Sequence, residues 1–569
     1  MIKFKHLVLF ATGFVLLAWS SPALAKPPTL TALFPAGAQR GQTVEVTASG
    51  SFGHWPVRAR VDWSGVEIEA GDKETLRIKI AEDAAPGLRW IRLLDDEGAT
   101  EPRPFLIGTL PEVVEVEPND DPKAPQVLDS TTVVVNGKLA KSGDVDGFAV
   151  SLRAGQTLVA SMEANQRLGS PMDGVLQIAS PEGFVLAQND DDHGSDPQLI
   201  FEAPSNGRYL VRAFAFPATP NSSIQFAGGP TFIYRLTLTT AGFLDHVEPI
   251  AVLLGESASV TGSGWNIPEE ARTLSVEPAT LGEVGHALLG NTADLLRVSD
   301  PVISEAEPND LAHPQTVPVP IAVSGRIDPP QDLDVFQFSA KKGEKLVIRV
   351  ESSALGHPLD PVVRLTDAAG KTLVEMDDPG SGRRRGASKS HDPELPFTAP
   401  ADGDYRVQVR DLHGRGGPRF AYLLSIAAPR PEARLALKAT QFTLKPGKPI
   451  DIPITVERLA GFDGTIEISL DGDHDGLSAP TVTSEPKGNS AKAVTLKLTA
   501  EDAAPSGTIR IVGKIKGEES KPIAAQAPIE GFNASIESIW LTIPKPKAKP
   551  ESGDKDAKDK TDSGDKESK

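Results

Sequence analysis

The 569-residue sequence predicts an all-β protein: a string of β-sandwich domains, jelly-roll or immunoglobulin-like, with a disordered C-terminal tail. Three observations carry that reading. The chain has 51 glycines and 49 prolines, above their average usage of about 7% and 5%. Between these turn formers lie short alternating runs such as Val44-Glu45-Val46, Ile466-Glu467-Ile468-Ser469-Leu470 and Val494-Thr495-Leu496-Lys497-Leu498. Period-two alternation turns one strand face to a core and the other to water. No sustained helical stripe competes with these runs, and strands of this kind pack as sandwiches.

The elements follow in order. Residues 1–25 read as a signal peptide: Lys3 and Lys5 open it, an apolar run from Leu7 to Trp19 follows, and Ala23-Leu24-Ala25 offers a cleavage site. The run is shorter than the roughly 20 residues of a membrane span, so the mature chain is expected outside the cytoplasm, secreted or in the periplasm or cell envelope. A first small β-domain covers 26–111. Sandwich domains follow at 112–241 and 302–427, separated by a short β-segment at 242–301, and a further sandwich covers 428–543. Residues 544–569 form a tail. From Lys545 onward it holds 8 Lys and 7 Asp or Glu with almost no apolar residue, too little to offset the entropy of ordering.

The boundaries come from an internal duplication. Glu117 matches Glu307, Asp144 matches Asp332, Phe148 matches Phe336, and Asp173 matches Asp360. After a longer loop in the second copy, Asp196-Pro197 matches Asp392-Pro393, Ala203-Pro204 matches Ala399-Pro400, and Tyr209-x-Val211 matches Tyr405-x-Val407. The segments preceding each copy also correspond, Gly41 to Gly50 with Gly255 to Gly264. The duplicated unit is therefore a small β-domain plus a larger one. About 60 residues at 242–301 make a marginal core, so that segment is expected to be degenerate or to lean on its neighbour.

Charge and composition exclude some chemistry. A formal net charge of −19 argues against nucleic acid, whose phosphates require clustered Lys and Arg. The chain has no cysteine, so disulfides and a thiolate nucleophile are unavailable. The chemistry that stands out is acidic. Glu115-Val-Glu117-Pro118-Asn119-Asp120 recurs as Glu305-Ala-Glu307-Pro308-Asn309-Asp310, followed by Asp144-Val-Asp146 and Asp332-Leu-Asp334.

This pattern, with the later Asp-Asp, Asp-Pro and Ala-Pro-x-x-Gly-x-Tyr-x-Val landmarks, resembles the bacterial pre-peptidase C-terminal domain, a secreted β-sandwich found beside extracellular peptidases. The flanking segments look like immunoglobulin-like or IPT/TIG modules. One branch of the family, the collagen-binding domains of bacterial collagenases, binds calcium through a similar acidic segment. The resemblance therefore implies calcium ligands Glu115, Glu117, Asn119, Asp120, Asp144 and Asp146 in the first repeat. In the second it implies Glu305, Glu307, Asn309, Asp310, Asp332 and Asp334. Ser142 aligns with Pro330, which removes a possible oxygen donor and points to a weaker second site. No tryptophan lies in either repeat, so collagen binding is not carried over.

Residue chemistry supports a cation by its own route. Glu115 and Glu117 are two apart, on the same side of an extended chain, and Pro118 disfavours helix at Glu117. Calcium takes 6–8 hard oxygens, which this set supplies. The other reading is a turn in which Asn and Asp bond their own backbone while the carboxylates are solvated, and sequence leaves both open. Asn189 to Asp196 reads as a solvated hairpin loop without EF-hand spacing, and Arg383-Arg384-Arg385 as an exposed loop. The matched tyrosines, Tyr209 with Tyr405 and Tyr234 with Tyr422, read as framework.

No His-Glu-x-x-His or Gly-x-Ser-x-Gly motif occurs. No catalytic residues are assigned, although a triad assembled across domains stays open. The expected function is an exported, non-enzymatic, calcium-stabilised protein that binds extracellular protein or polysaccharide. The alternatives are a targeting subunit of a secreted peptidase, a hydrolase, or a structural spacer of the cell envelope.

Overall fold

The computed structural model describes residues 26–61, 63–180, 182–219, 225–278, 282–286, 288–378, 391–519 and 521–544. The expected signal peptide, the tail from Lys545 and the Arg383-Arg384-Arg385 run lie outside them. The described chain is almost entirely β. It divides into two compact units: residues up to Arg430 with Ile529–Ala534, and Pro431–Pro528 with those from Ser535.

Each repeat is a sandwich of two five-stranded sheets. In the first repeat one sheet runs Gln126–Val127, Asp146–Leu152, Gly207–Pro217, Met172–Ala179, Val185–Asn189. The other runs Gln198–Glu202, Thr157–Glu163, Ile233–Thr239, Val133–Lys138, Glu112–Val114. The second repeat has the same order, with Gln315–Thr316, Asp334–Ala340, Gly403–Asp411, Pro361–Asp367, Thr372–Met376 in one sheet. Its other sheet runs Glu394–Thr398, Lys345–Glu351, Ala421–Ala427, Ile321–Arg326, Val302–Ser304. Alternation decides the core: Phe148, Val150 and Leu152 point inward in one copy, Phe336, Phe338 and Ala340 in the other, against Tyr209, Val211 and Tyr405, Val407. Tyr209 and Tyr405 donate their hydroxyls to the carbonyls of Ser205 (2.8 Å) and Ala401 (2.7 Å), closing the same corner twice.

The first small domain pairs two four-stranded sheets around Val46, Leu76, Ile78, Ile91, Leu93 and Phe105. The segment at 242–301 folds as three small sheets around its own apolar core, Leu244, Val247, Val260, Leu274 and Val276 among its members. It also leans on the second repeat, where Ile250 and Ala251 pack with Ala322, Ala421 and Leu423.

The junctions in the two halves correspond but use different chemistry. Gly37 opens a short strand parallel to Arg103–Gly108, and Ala251 opens its counterpart parallel to Leu296–Val298. A Cβ on Gly37 would stand 2.5 Å from the Leu106 carbonyl oxygen and 2.6 Å from Arg235 Nε. Arg235 is 3% exposed, pairs with Glu112, and meets Glu163 at 2.8 Å. In the second half the matching trio is Ala251, Leu423 and Val302, all within one apolar cluster.

The Asn189 to Asp196 loop is exposed at Asp190 and Asp191, as expected of a solvated loop, but not at its C-terminal end. Asp196 is 4% exposed and accepts the backbone N–H groups of Ala164, Asn165 and Gln166 at 3.2, 2.7 and 3.0 Å. Asp192 meets Arg419 of the second repeat at 2.8 Å, and the same guanidinium reaches Asp245 at 2.8 Å. Buried charge, paired across 227 residues of chain, holds the loop down.

The second unit carries one set of eleven strands around Leu435, Ile452, Ile454, Leu496, Leu498, Ile509 and Ile511.

Candidate metal centres

Both acidic segments sit where the two sheets of a repeat end together. The strand Glu112–Val114 runs parallel to Val133–Lys138, and Glu115 prolongs it by donating its N–H to Asn136 O at 3.0 Å. From the other sheet, Asp146 begins the strand Asp146–Leu152. Tyr234 crosses between them over Gly137, where any Cβ would collide with the phenol ring, and donates its hydroxyl to Asp146 Oδ2 at 2.5 Å. The second repeat repeats the device, with Gly325, Tyr422 and Asp334 Oδ2 at 2.5 Å. Tyrosine was not legible as part of the site, although Tyr234 and Tyr422 are separated by the same interval as Asp146 and Asp334.

In the first repeat one oxygen each from Glu117, Asp120, Asp144 and Asp146 lies within 4.8 Å of the others. Asp144 is held by a tight turn: its N–H donates to Lys141 O, its Oδ2 accepts the N–H of Ala140, and Gly143 takes the left-handed φ of 86° that the turn needs. Its Oδ1 has no hydrogen-bond partner, nor has Asp146 Oδ1, and both residues are fully buried. Asn119, 1% exposed, leaves both side-chain polar atoms unpartnered, while its N–H donates to Glu117 Oε2 at 3.0 Å. Glu115 lies outside the four-oxygen group, and its Oε2 is buried without a hydrogen-bond partner. Burial, then the charge of Glu115, pushes Asp146 well above the carboxylate range; burial does the same to Glu115. Burial and the adjacent Asp146 carboxylate likewise hold the Tyr234 phenol protonated.

The second repeat assembles a smaller group, Glu305, Glu307 and Asp334. Asn309 is buried, its Oδ1 unpartnered and its amide nitrogen 3.4 Å from Glu305 Oε2. Two residues implied by the resemblance do not join. Asp310 turns its Oδ1 to the N–H groups of Ala312 and His313, at 2.8 and 2.9 Å. Asp332 accepts from Asp328 N at 3.1 Å and, unlike Asp144, gives its other oxygen to Leu333 N at 2.9 Å. The self-capping turn thus describes Asp310 and Asp332, and the converging set describes the rest.

Oxygen-only groups with buried, unpartnered carboxylate and amide oxygens fit a hard divalent cation such as calcium. Two carboxylates buried together without a counter-charge are costly, and a shared proton or a cation are the two remedies.

Both repeats are thus two-sheet sandwiches of one strand order with an acidic group at one end. Residues 332–411, within the second repeat, match the bacterial pre-peptidase C-terminal domain, so the chain carries a domain of that family. Over 243 residues it is 26% identical to a protein of Deinococcus radiodurans named a probable subtilase-type serine protease, covering 42% of this chain and 26% of the relative. The chain thus spans about a quarter of that relative's length. Among solved structures it is similar to the pre-peptidase C-terminal domain of a Bacillus anthracis collagenase, at 16% identity and a TM-score of 0.15, covering 20% of this chain and 92% of that one. It is also similar to a mutant Salmonella alpha-2-macroglobulin, at 12% identity and a TM-score of 0.13, covering 89% and 47%.

Proposed function

We propose that this is an exported, non-catalytic protein whose repeats are stabilised by calcium and whose sandwiches hold extracellular or cell-envelope protein or polysaccharide. The observation that carries the calcium reading is the buried, unpartnered Oδ1 of Asp146, repeated at Asp334, each within a group of converging carboxylates. Glu117, Asp120, Asp144 and Asp146 would hold the ion in the first repeat, with Asn119 and Glu115 adjacent. Glu305, Glu307 and Asp334 would hold it in the second. A cation bound only by the folded state adds about 2.7 kcal/mol at a hundredfold excess over Kd. For a cooperative unit of about 400 residues that is a rise in melting temperature of roughly 3 °C. The mature chain is expected to melt higher in millimolar calcium than in chelator, and Glu117→Gln or Asp146→Asn to remove at least half of the difference. Equal melting temperatures in calcium and chelator, with no heat of binding, would leave the turn reading in its place.

A second reading, a targeting partner of a secreted peptidase, draws on the domain family and on the name of the Deinococcus relative. Co-purification of a peptidase with the chain supports it. Casein turnover by the purified chain alone, lost on changing one Ser or Asp, would instead make it a hydrolase. No helix among the described residues is long and apolar enough to cross a membrane.

A further inference from the structure

The two repeats neutralise their acidic groups in different ways, and the difference singles out Lys141. Its Nζ stands 3.6 Å from Asp120 Oδ2 and 3.8 Å from Asp144 Oδ1, two of the four carboxylates of the first group. Asp144 Oδ1 has no hydrogen-bond partner, so the ammonium supplies charge to it rather than a directed bond. The Lys141 side chain is 70% exposed, on a flexible stem, whereas the Asp144 carboxylate is 1% exposed. The cation is therefore free to swing away and the carboxylate is not. In the second repeat the aligned residue is Pro329 and no lysine faces the counterpart acids: backbone N–H groups hold Asp310 and Asp332, and the His313 ring stands 3.1 Å from the exposed Asp310.

We propose that Lys141 is a built-in competitor for the first metal centre: its ammonium occupies the acidic group when calcium is scarce and is displaced when calcium enters. This rests on the calcium reading above. Binding in the first repeat is then an exchange of one cation for another, which keeps the calcium-free fold together while raising the calcium level needed to fill the site. The two effects have opposite signs when the lysine is removed, and a merely structural surface ion pair produces only the first.

The test uses the mature chain with Asp334→Asn, which silences the second group, titrated with calcium chloride in a calorimeter and melted in chelator. Lys141→Met is expected to tighten calcium binding by up to about fivefold, the ratio equivalent to the stronger end of exposed ion pairs. It is also expected to lower the melting temperature in chelator by up to about 1 °C. Lys141→Arg, which keeps the charge, should stay near the parent in both. Binding by the parent with unchanged or weaker affinity in Lys141→Met would overturn the competitor role and leave the site standing. No binding heat and no melting shift in the parent or either variant would remove the calcium reading and this inference together.

Discussion

At the scale of single residues, the acidic groups are places where ordinary carboxylate behaviour is suspended. Glu115 with Asp146, and Glu305 with Asp334, all have pKa values raised by burial and by neighbouring carboxylates. A carboxyl whose folded pKa exceeds its unfolded value of about 4 stabilises the fold fully below that value, and the contribution is lost as pH rises through the folded pKa. In chelator the protein should thus be less stable at pH 8 than at pH 5. Calcium competes with protons for these carboxylates, so its stabilising increment should grow across the same interval. Melting curves at pH 5, 6.5 and 8 with and without calcium check this, and an increment that shrinks with pH would contradict it. The ligand types and their order were legible in the sequence because the motif occurs twice. Which way each carboxylate turns was not: Asp144 and Asp332 occupy matching turns, and a single amide, that of Leu333, takes the second oxygen away.

At the scale of elements, strand alternation and the repeat offsets are sufficient to read a sandwich, whereas an acid whose charge is satisfied from far away is not legible. Asp196 and Asp392 show the pattern. Each is an acid shortly before a strand, and each accepts the N–H groups opening a short helical turn, Ala164 to Gln166 in one repeat and Ser353 with Ala354 in the other. An acid beside Pro in a loop looks solvated from sequence because its donors lie about 30 to 40 residues upstream. Removing such a buried, charge-assisted acceptor leaves orphaned N–H groups, so Asp196→Ala should cost about 2–3 kcal/mol. Denaturant unfolding that registers less than about 0.5 kcal/mol would show that water serves these groups equally well.

At the scale of the whole molecule, the chain has two compact units with separate cores, and among the described residues both acidic groups belong to the first. Scanning calorimetry is expected to resolve more than one transition, with calcium moving the one that contains the repeats and leaving the melting of residues 431–528 in place. A single transition shifted as a whole would mean the units unfold together. Within the first unit, sequence foresaw the duplication but not its fusion into one body. The Arg419 clasp to Asp192 and Asp245 joins residues from both repeats and the segment between them, a partnership that no local pattern announces.

The unlike junctions of the two halves bear on how a tandem duplicate avoids assembling wrongly. Copies that share a fold offer each small domain two similar docking faces, a standing hazard for repeated chains. Here Gly37 leaves room for a guanidinium and Ala251 fills the space over a leucine. Exchanged, the alanine methyl would strike both the Leu106 carbonyl and Arg235, and the glycine would leave a void beside Leu423. Each junction thus fits its own partner and not the other's, a charged contact in one half and an apolar one in the other.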